Sequence, residues 1–311
     1  MSTSPRVVVC GEALIDLTPD AGRFAAHPGG GPFNTAVALG RLAVPTAFCS
    51  RVSHDGFGRL LRSRLADAEV DLRYVVDTDD PTSLAVVTLN EAGEADYQFY
   101  VEGTADRGLV PGDLPAVLAP SVSAVHFGTL SLVLEPGAST YEHLMRREHG
   151  NRLLALDPNC RPRLIPDREH YRLRLEGWVG LMDLVKVSAA DLDWLYPDDT
   201  VATIAGRWQE LGAALVVVTD GSRGATAFAG PVSVHVPTPV ITVADTIGAG
   251  DTFNAGLLAW LDREHGLSPQ AARDLTEEQL RRLLTFAAAA AAITCSRPGA
   301  DPPWSSEMPG S

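Results

Sequence analysis

The chain is poor in lysine, in net positive charge and in paired cysteines, and each shortage removes a class of function. Lys186 is the only lysine in 311 residues, so a phosphate site built from several lysine side chains is not available. The formal charge of -14 argues against a nucleic-acid backbone or an anionic membrane surface as partner, since both attract basic proteins. A local anion site remains open to it, provided the site supplies its own positive field. Cys10, Cys49, Cys160 and Cys295 are dispersed with no C-x-x-C pair. That spacing argues against a zinc site or disulfide framework and for reduced thiols in a cytoplasmic protein. Met1–Pro5 shows no basic region leading into a long apolar core, so no signal peptide is expected. The apolar run Phe286–Cys295 is too short and too rich in alanine to span a bilayer.

What is present is a core-forming chain, 45% hydrophobic, in which short apolar runs alternate with longer helical patterns. Arg6–Cys10, Ala47–Val52, Ala124–Phe127, Leu153–Leu156, Leu184–Val187 and Leu215–Thr219 read as strands. Their apolar character is continuous rather than alternating, as in strands covered on both faces. Helical patterns fall at Asn34–Leu42, Phe57–Ala68, Ala138–Glu148, Ile204–Leu211, Thr252–Glu264 and Glu277–Thr294. The alternation predicts an α/β fold, a doubly wound and mostly parallel sheet flanked by helices. Ala13–Phe24 and Leu84–Val101 depart from the pattern as strands of mixed polarity, the second turning at Asn90-Glu-Ala-Gly93. They read either as a small antiparallel β lid over the sheet's carboxyl edge or as an ordinary edge hairpin. The tail from Pro298 holds four prolines and is predicted to be irregular, loose or packed as coil.

The chemistry concentrates in Gly248-Ala-Gly250-Asp251-Thr-Phe-Asn-Ala-Gly256, which follows an extended stretch at Val240–Val243 and opens an apolar helix. Small residues let backbone approach an anion, and the first amides of a helix point outward without partners. With the helix dipole they form a phosphate cradle that needs no lysine. A carboxylate there is repulsive if its task is binding. It is useful if it accepts a hydroxyl proton while the amides of Gly248, Ala249 and Gly250 hold a phosphoryl group. The plainer alternative makes Asp251 a helix N-cap and the glycines a tight turn. The glycine spacing fits neither the dinucleotide fingerprint nor the P-loop.

Asp245-Thr-Ile-Gly-Ala-Gly-Asp-Thr-Phe-Asn-Ala-Gly256 closely resembles the C-terminal motif of the ribokinase-like (PfkB) carbohydrate kinases, and the resemblance extends over nearly the whole chain. It implies one kinase domain over residues 1–311, with lid strands from about 12–25 and 84–103. Gly11-Glu-Ala-Leu-Ile-Asp16 resembles the family's opening strand, whose aspartate binds sugar hydroxyls. Gly29-Gly30-Gly-Pro-Phe-Asn34 is similar to its sugar-binding turn, although Asp16 and Asn34 are also good caps. Asp157-Pro-Asn159-Cys-Arg161 is similar to a stretch that places Asn159 and Arg161 near sugar or phosphate, and Arg51–Gly58 to a structural segment. Lys186-Val-Ser188-Ala-Ala-Asp191 stands where the family organises magnesium, and the resemblance implies that Lys186 and Ser188 contact ATP. Serine and aspartate replace asparagine and glutamate there, so Asp191 is implied to reach Mg2+ through water. Thr219-Asp-Gly221-Ser-Arg-Gly224 resembles the nucleotide turn, which also reads as a plain β-turn. Ser296–Ala300 resembles the segment closing the nucleotide pocket, where Asp245 and nearby carbonyls would hold K+.

The resemblance therefore implies ATP and Mg2+ as cofactors, with K+ as a further candidate, and a small sugar as acceptor. Phe99-Tyr-Val-Glu-Gly-Thr-Ala-Asp106 is most like the fructokinase branch, and Tyr97, Phe99 and Tyr100 supply aromatics either to cover the sugar or to pack the core. Tyr100 is placed with the substrate residues. Related acceptors are 2-keto-3-deoxygluconate, ribose and nucleosides. No arginine lies in Tyr97–Val101 to receive a keto-acid carboxylate. A reading of another class is a sugar- or nucleotide-sensing protein without catalysis, to which only Ser188 and Asp191 point. A lid edge is a ready pairing surface, so a homodimer through the lid is expected.

Overall fold

The computed structural model describes residues 4–20, 22–89 and 95–309. The strands are β1 (Val7–Cys10), β2 (Leu14–Asp20), β3 (Arg23–Gly29), β4 (Thr46–Ser53), β5 (Asp71–Thr78), β6 (Ser83–Leu89) and β7 (Ala95–Tyr100). They continue with β8 (Ala124–Gly128), β9 (Leu153–Asp157), β10 (Leu184–Ser188), β11 (Leu215–Thr219), β12 (Ala225–Ala229) and β13 (Val232–Val236). The helices are α1 (Gly31–Arg41), α2 (Gly56–Asp67), α3 (Gly137–Glu148), α4 (Arg168–Val179) and α5 (Ala189–Leu195). After them come α6 (Val201–Leu211), α7 (Ala249–Glu264), α8 (Pro269–Arg273) and α9 (Glu277–Cys295). Among the described residues they build a nine-stranded sheet, order β13-β12-β11-β10-β9-β8-β1-β4-β5, and a four-stranded one, β3-β2-β6-β7.

The six apolar runs become β1, β4, β8, β9, β10 and β11, all paired in parallel. Both faces are covered. Val7, Val9, Ala155 and Val217 pack toward α1, α7 and α9, while Val8, Val125, Leu156 and Val216 pack toward α3, α4 and α6. That is why these strands carry no polar alternation. Parallel strands with helical crossovers leave their carboxyl ends along one edge, where a ligand cleft forms. The small sheet forms as a lid beside that edge, but it is larger than the sequence suggests. The stretch Ala13–Phe24 is not one strand: it turns at Gly22 and returns as β3 to Gly29. Pro28 disguises β3, and an edge strand is where a sheet tolerates proline. The turn expected at Asn90–Gly93 lies outside the described residues.

Two segments toward the C-terminus carry little regular structure. Val240–Val243 pairs with no strand, and the Ala244 and Asp245 amides beyond it donate to the Cys295 carbonyl at 2.8 and 3.2 Å. The tail is packed coil: Arg41 donates to Asp301 and to the Pro302 carbonyl, both at 2.6 Å, and stacks its guanidinium on Trp304. No helix among the described residues is long and apolar enough to cross a membrane.

The helix that carries the motif is fixed by close packing. A Cβ on Gly256 of α7 would fall 2.7 Å from Ala287 Cα of α9, so only glycine lets the two helix backbones meet. Gly256→Val should lower stability by about 1–3 kcal/mol through overpacking, read from urea denaturation.

Candidate active site

A cleft of about 630 Å³ opens between the carboxyl ends of β9, β10 and β11 and the lid, a volume suited to small ligands. Twelve of the residues singled out in the sequence line it: Asp16, Gly30, Asn34, Asn159, Arg161, Lys186, Ser188, Asp191, Thr219, Gly248, Gly250 and Asp251. Gly29, Ala249, Gly221, Gly224, Asp245 and Tyr100 do not.

Asp251 is not the cap of its helix. The N-cap is Gly248, whose φ of 75° suits glycine, and a Cβ there would lie 2.8 Å from Ala300 Cβ. Asp251 falls in the first turn of α7, and its Oδ2 accepts from Asn34 Nδ2 at 2.9 Å. Asn34 likewise is no cap, because α1 begins at Gly31. Burial pushes the Asp251 carboxyl up to about 7; the Asn34 hydrogen bond, Lys186 and Arg161 oppose the rise and Asp157 adds to it. A carboxylate poised near neutrality, in the first turn of a helix whose start faces the cleft, suits proton abstraction beside an anion. The Ala249 amide already donates to the Thr246 carbonyl at 3.3 Å, whereas Gly248 and Gly250 face the cleft.

The lid supplies the opposite wall. Leu14, Asp16 and Thr18 alternate along β2 and face inward with Val87 and Phe99. Register explains which aromatic enters: Asp16 pairs with Ala85 and Ala85 with Phe99, so these share a face. Tyr100 pairs with Leu84 on the other face and is 51% exposed. Gly29 sits behind Asp16, where a Cβ would meet Asp16 Oδ2 at 2.1 Å. Burial raises the Asp16 carboxyl to about 6, and Arg161 pulls against the rise. Arg161 is itself oriented by Asn159, donating to its Oδ1 at 2.6 Å, and Asn159 adopts a positive φ of 36°.

At the other end, Ser188 caps α5, accepting from the Asp191 amide at 3.0 Å and donating to Asp191 Oδ2 at 2.7 Å. Asp191 Oδ1 accepts from the Cys160 amide at 3.0 Å. Both oxygens are thus engaged, and no cluster of three or more metal-ligating side chains occurs among the described residues. This donor set fits an ion carried by phosphates and reached through water better than a protein-held ion. Thr219 ends β11, and Gly221 and Gly224 form the tight turn after it. Asp245 braces the loop before α7, accepting from Thr246 at 2.7 Å, Ile247 at 3.1 Å and Gly299 at 2.8 Å.

Three participants, Glu12, Asp157 and Asn254, have no role in the sequence reading. Glu12, 3% exposed, accepts from the Gly31, Thr129 and Ser131 amides and from the Thr129 hydroxyl, tying the start of α1 to the loop after β8. Asp157 accepts from Lys186 Nζ at 2.9 Å and Asn254 Nδ2 at 2.7 Å. Each was visible as a polar residue in an apolar context, which requires a buried partner.

Because the folded Asp251 carboxyl resists ionisation more than the unfolded one, its contribution to stability is present at acid pH and lost as pH rises through about 7. Asp251→Asn should therefore melt at a higher temperature than the parent at about pH 8, the gap closing toward about pH 4. Thermal unfolding across that range measures it.

Residues 4–307 match the family model described as pfkB family carbohydrate kinase. The chain is 41% identical over 281 residues to a fructokinase of Rhizobium leguminosarum bv. trifolii, covering 88% of this chain and 85% of that one. Its fold is similar to a fructokinase with bound ATP from Xylella fastidiosa, with TM-score 0.88, 29% identity and coverage of 97% and 94%. It is also similar to a double-mutant fructokinase from Vibrio cholerae O395 in a fructose, ADP and potassium ion bound form, with TM-score 0.83, 28% identity and coverage of 96% and 95%. Matched along nearly its whole length by the family model and by relatives of similar size, this chain belongs to the pfkB family of carbohydrate kinases.

Proposed function

We propose that the protein transfers the γ-phosphoryl group of ATP to a primary hydroxyl of fructose. One observation carries the reading: a single cleft joins a lid wall bearing Asp16 to a helix start whose first turn holds the buried carboxylate Asp251. Asp16, the Gly30 backbone and Asn34 hold the sugar, while Phe99 covers it. Asp251 takes the hydroxyl proton as the oxygen attacks phosphorus, and the amides of Gly248 and Gly250 stabilise the charge that builds on the phosphoryl oxygens. Arg161 and Lys186 add positive field at that point. Thr219, Gly221 and Gly224 shape the nucleotide turn. Magnesium bound with ATP would neutralise phosphate charge, with Ser188 and Asp191 contacting its waters. Closing the lid excludes water that would compete as acceptor. The fructokinases among the relatives support fructose over 2-keto-3-deoxygluconate, ribose or a nucleoside.

The free thiols of Cys10, Cys49, Cys160 and Cys295 fit a cytoplasmic setting. Phe24 and Tyr100, 56% and 51% exposed at the two lid edges, fit a homodimer paired through the lid, which light scattering would register. The potassium ion bound in the related Vibrio cholerae fructokinase supports a monovalent-cation requirement, with the Asp245 loop and nearby carbonyls as the candidate site. Replacing K+ by a large organic cation in the assay should lower turnover, and unchanged turnover would remove that site from the scheme.

A coupled ADP-release assay across fructose, ribose, 2-keto-3-deoxygluconate and adenosine should show the highest kcat/KM on fructose. Asp251→Asn should still bind sugar and ATP but lose about 10²–10⁴ in turnover. Absence of turnover on every acceptor would instead favour a sensing protein.

A further inference from the structure

Beneath Asp251 lies an ion pair whose burial a nucleotide contact by Lys186 does not explain. Lys186 on β10 and Asp157 on β9 are 4% and 1% exposed, on the sheet face that α7 covers. Asp157 Oδ2 accepts from the Lys186 ammonium at 2.9 Å and from Asn254 Nδ2 at 2.7 Å. Asn254 stands three residues beyond Asp251 on α7, so both side chains leave the helix on one side. The ammonium reaches the helix start as well: a Cβ on Gly250 would lie 3.0 Å from Nζ. Asp157 Oδ1 is buried with no hydrogen-bond partner among the described residues, as is Nδ1 of His126 on β8. A buried ion pair adds little stability over apolar side chains of equal volume, because desolvating two charges offsets their attraction. A half-satisfied carboxylate is poorer still. Stability does not account for the pair.

We propose that Asp157 and Lys186 are positioning residues for phosphoryl transfer, holding one negative and one positive charge beneath Asp251 so that the pair fixes the strength of that base. This rests on the reading of Asp251 as the base. The charged groups that face Asp251 are Asp157 from β9, Lys186 from β10 and Arg161 from the segment after β9; α1 contributes the neutral Asn34 amide. Around the pair stand Asp191 on α5 and His126, which burial keeps uncharged down to about pH 4. Asp157 makes the Asp251 proton harder to remove and Lys186 makes it easier. Their hydrogen bonds to each other and to Asn254 keep both charges at fixed range from α7. The pair thus sets how firmly Asp251 binds a proton, through two opposed charges held in place beneath it.

The test is the acid limb of kcat/KM for fructose at saturating magnesium-ATP, taken as a ratio to the parent so that titration of ATP cancels. Lys186→Met should move the limb up by on the order of one pH unit and Asp157→Asn should move it down by a similar amount. The double variant, which removes both charges, should return it close to the parent position. A purely structural pair would lower activity in both single variants without opposed displacements. Limbs that stay in place, or move in the same direction, overturn the proposal. So does a severalfold rise in KM for ATP in Lys186→Met with the limb unmoved, since that marks a phosphate ligand alone. Should a single variant fail to fold, the double variant decides: a cooperative melt with the limb restored supports the pairing, and a limb displaced by about one unit or lost turnover refutes it. Asp251→Asn in the same assay separates the two readings. Near-normal turnover there sinks the base assignment itself, whereas an inactive Asp251→Asn beside unmoved limbs sinks only the role of the pair.

Discussion

One carboxylate oxygen, Asp157 Oδ2, accepts from a strand and a helix at once, and that junction fixes the start of α7 over the sheet edge. The position of α7 decides the rest of the site. It brings Gly248 and Gly250 to the cleft wall and Asp251 to Asn34 of α1. Through Gly256 it also sets how closely α9 can approach from behind. Glu12 performs the matching task for α1, anchoring its first amide to the loop after β8. Two helix starts thus converge on one cleft, each held by a carboxylate buried where water cannot replace it.

Carboxylates outnumber cations around this cleft. Asp16, Asp191 and Asp251 line it, against Arg161 and Lys186, and Lys186 is already paired with Asp157. A polyphosphate meets a local field that is not attractive on balance unless it arrives with its own metal ions. Burial holds the Asp16, Asp191 and Asp251 carboxyls up; the Asp157 charge adds to the rise for Asp191 and Asp251, and Arg161 opposes it for all three. Preorganised amides at the helix start bind anions without adding a titratable group, which suits a site already crowded with them.

The sequence shows the parallel core plainly because doubly covered strands are continuous apolar runs. It hides the elements whose burial is partial. β5, DLRYVVDT, forms an edge of the large sheet and mixes charge with valine. α4 buries Tyr171, Leu175, Trp178 and Val179 at helical spacing, but arginine and glutamate dilute the pattern. β12 and β13 are short, alanine- and valine-bearing strands with no apolar run long enough to stand out after the nucleotide turn. In the site, the motif residues were legible because glycine, amide and carboxylate side chains have few other reasons to cluster. The facing of the lid was not: a strand shows both faces equally, and only the pairing with Ala85 reveals that Phe99 and not Tyr100 points inward. Glu12 and Asp157 lay inside quoted motifs without roles, since their partners come from elements more than a hundred and about thirty residues away.

With its only lysine 4% exposed under α7, the folded protein presents no ε-amino group to solvent. Its surface cations are guanidinium groups, which stay charged and resist acylation. Lysine acetylation, ubiquitin attachment at lysine and aldehyde or active-ester cross-linking therefore find no side-chain target on the native exterior. The one ε-amino group sits at the cleft wall, held by Asp157, so acylation of Lys186 would report loosening of the site itself.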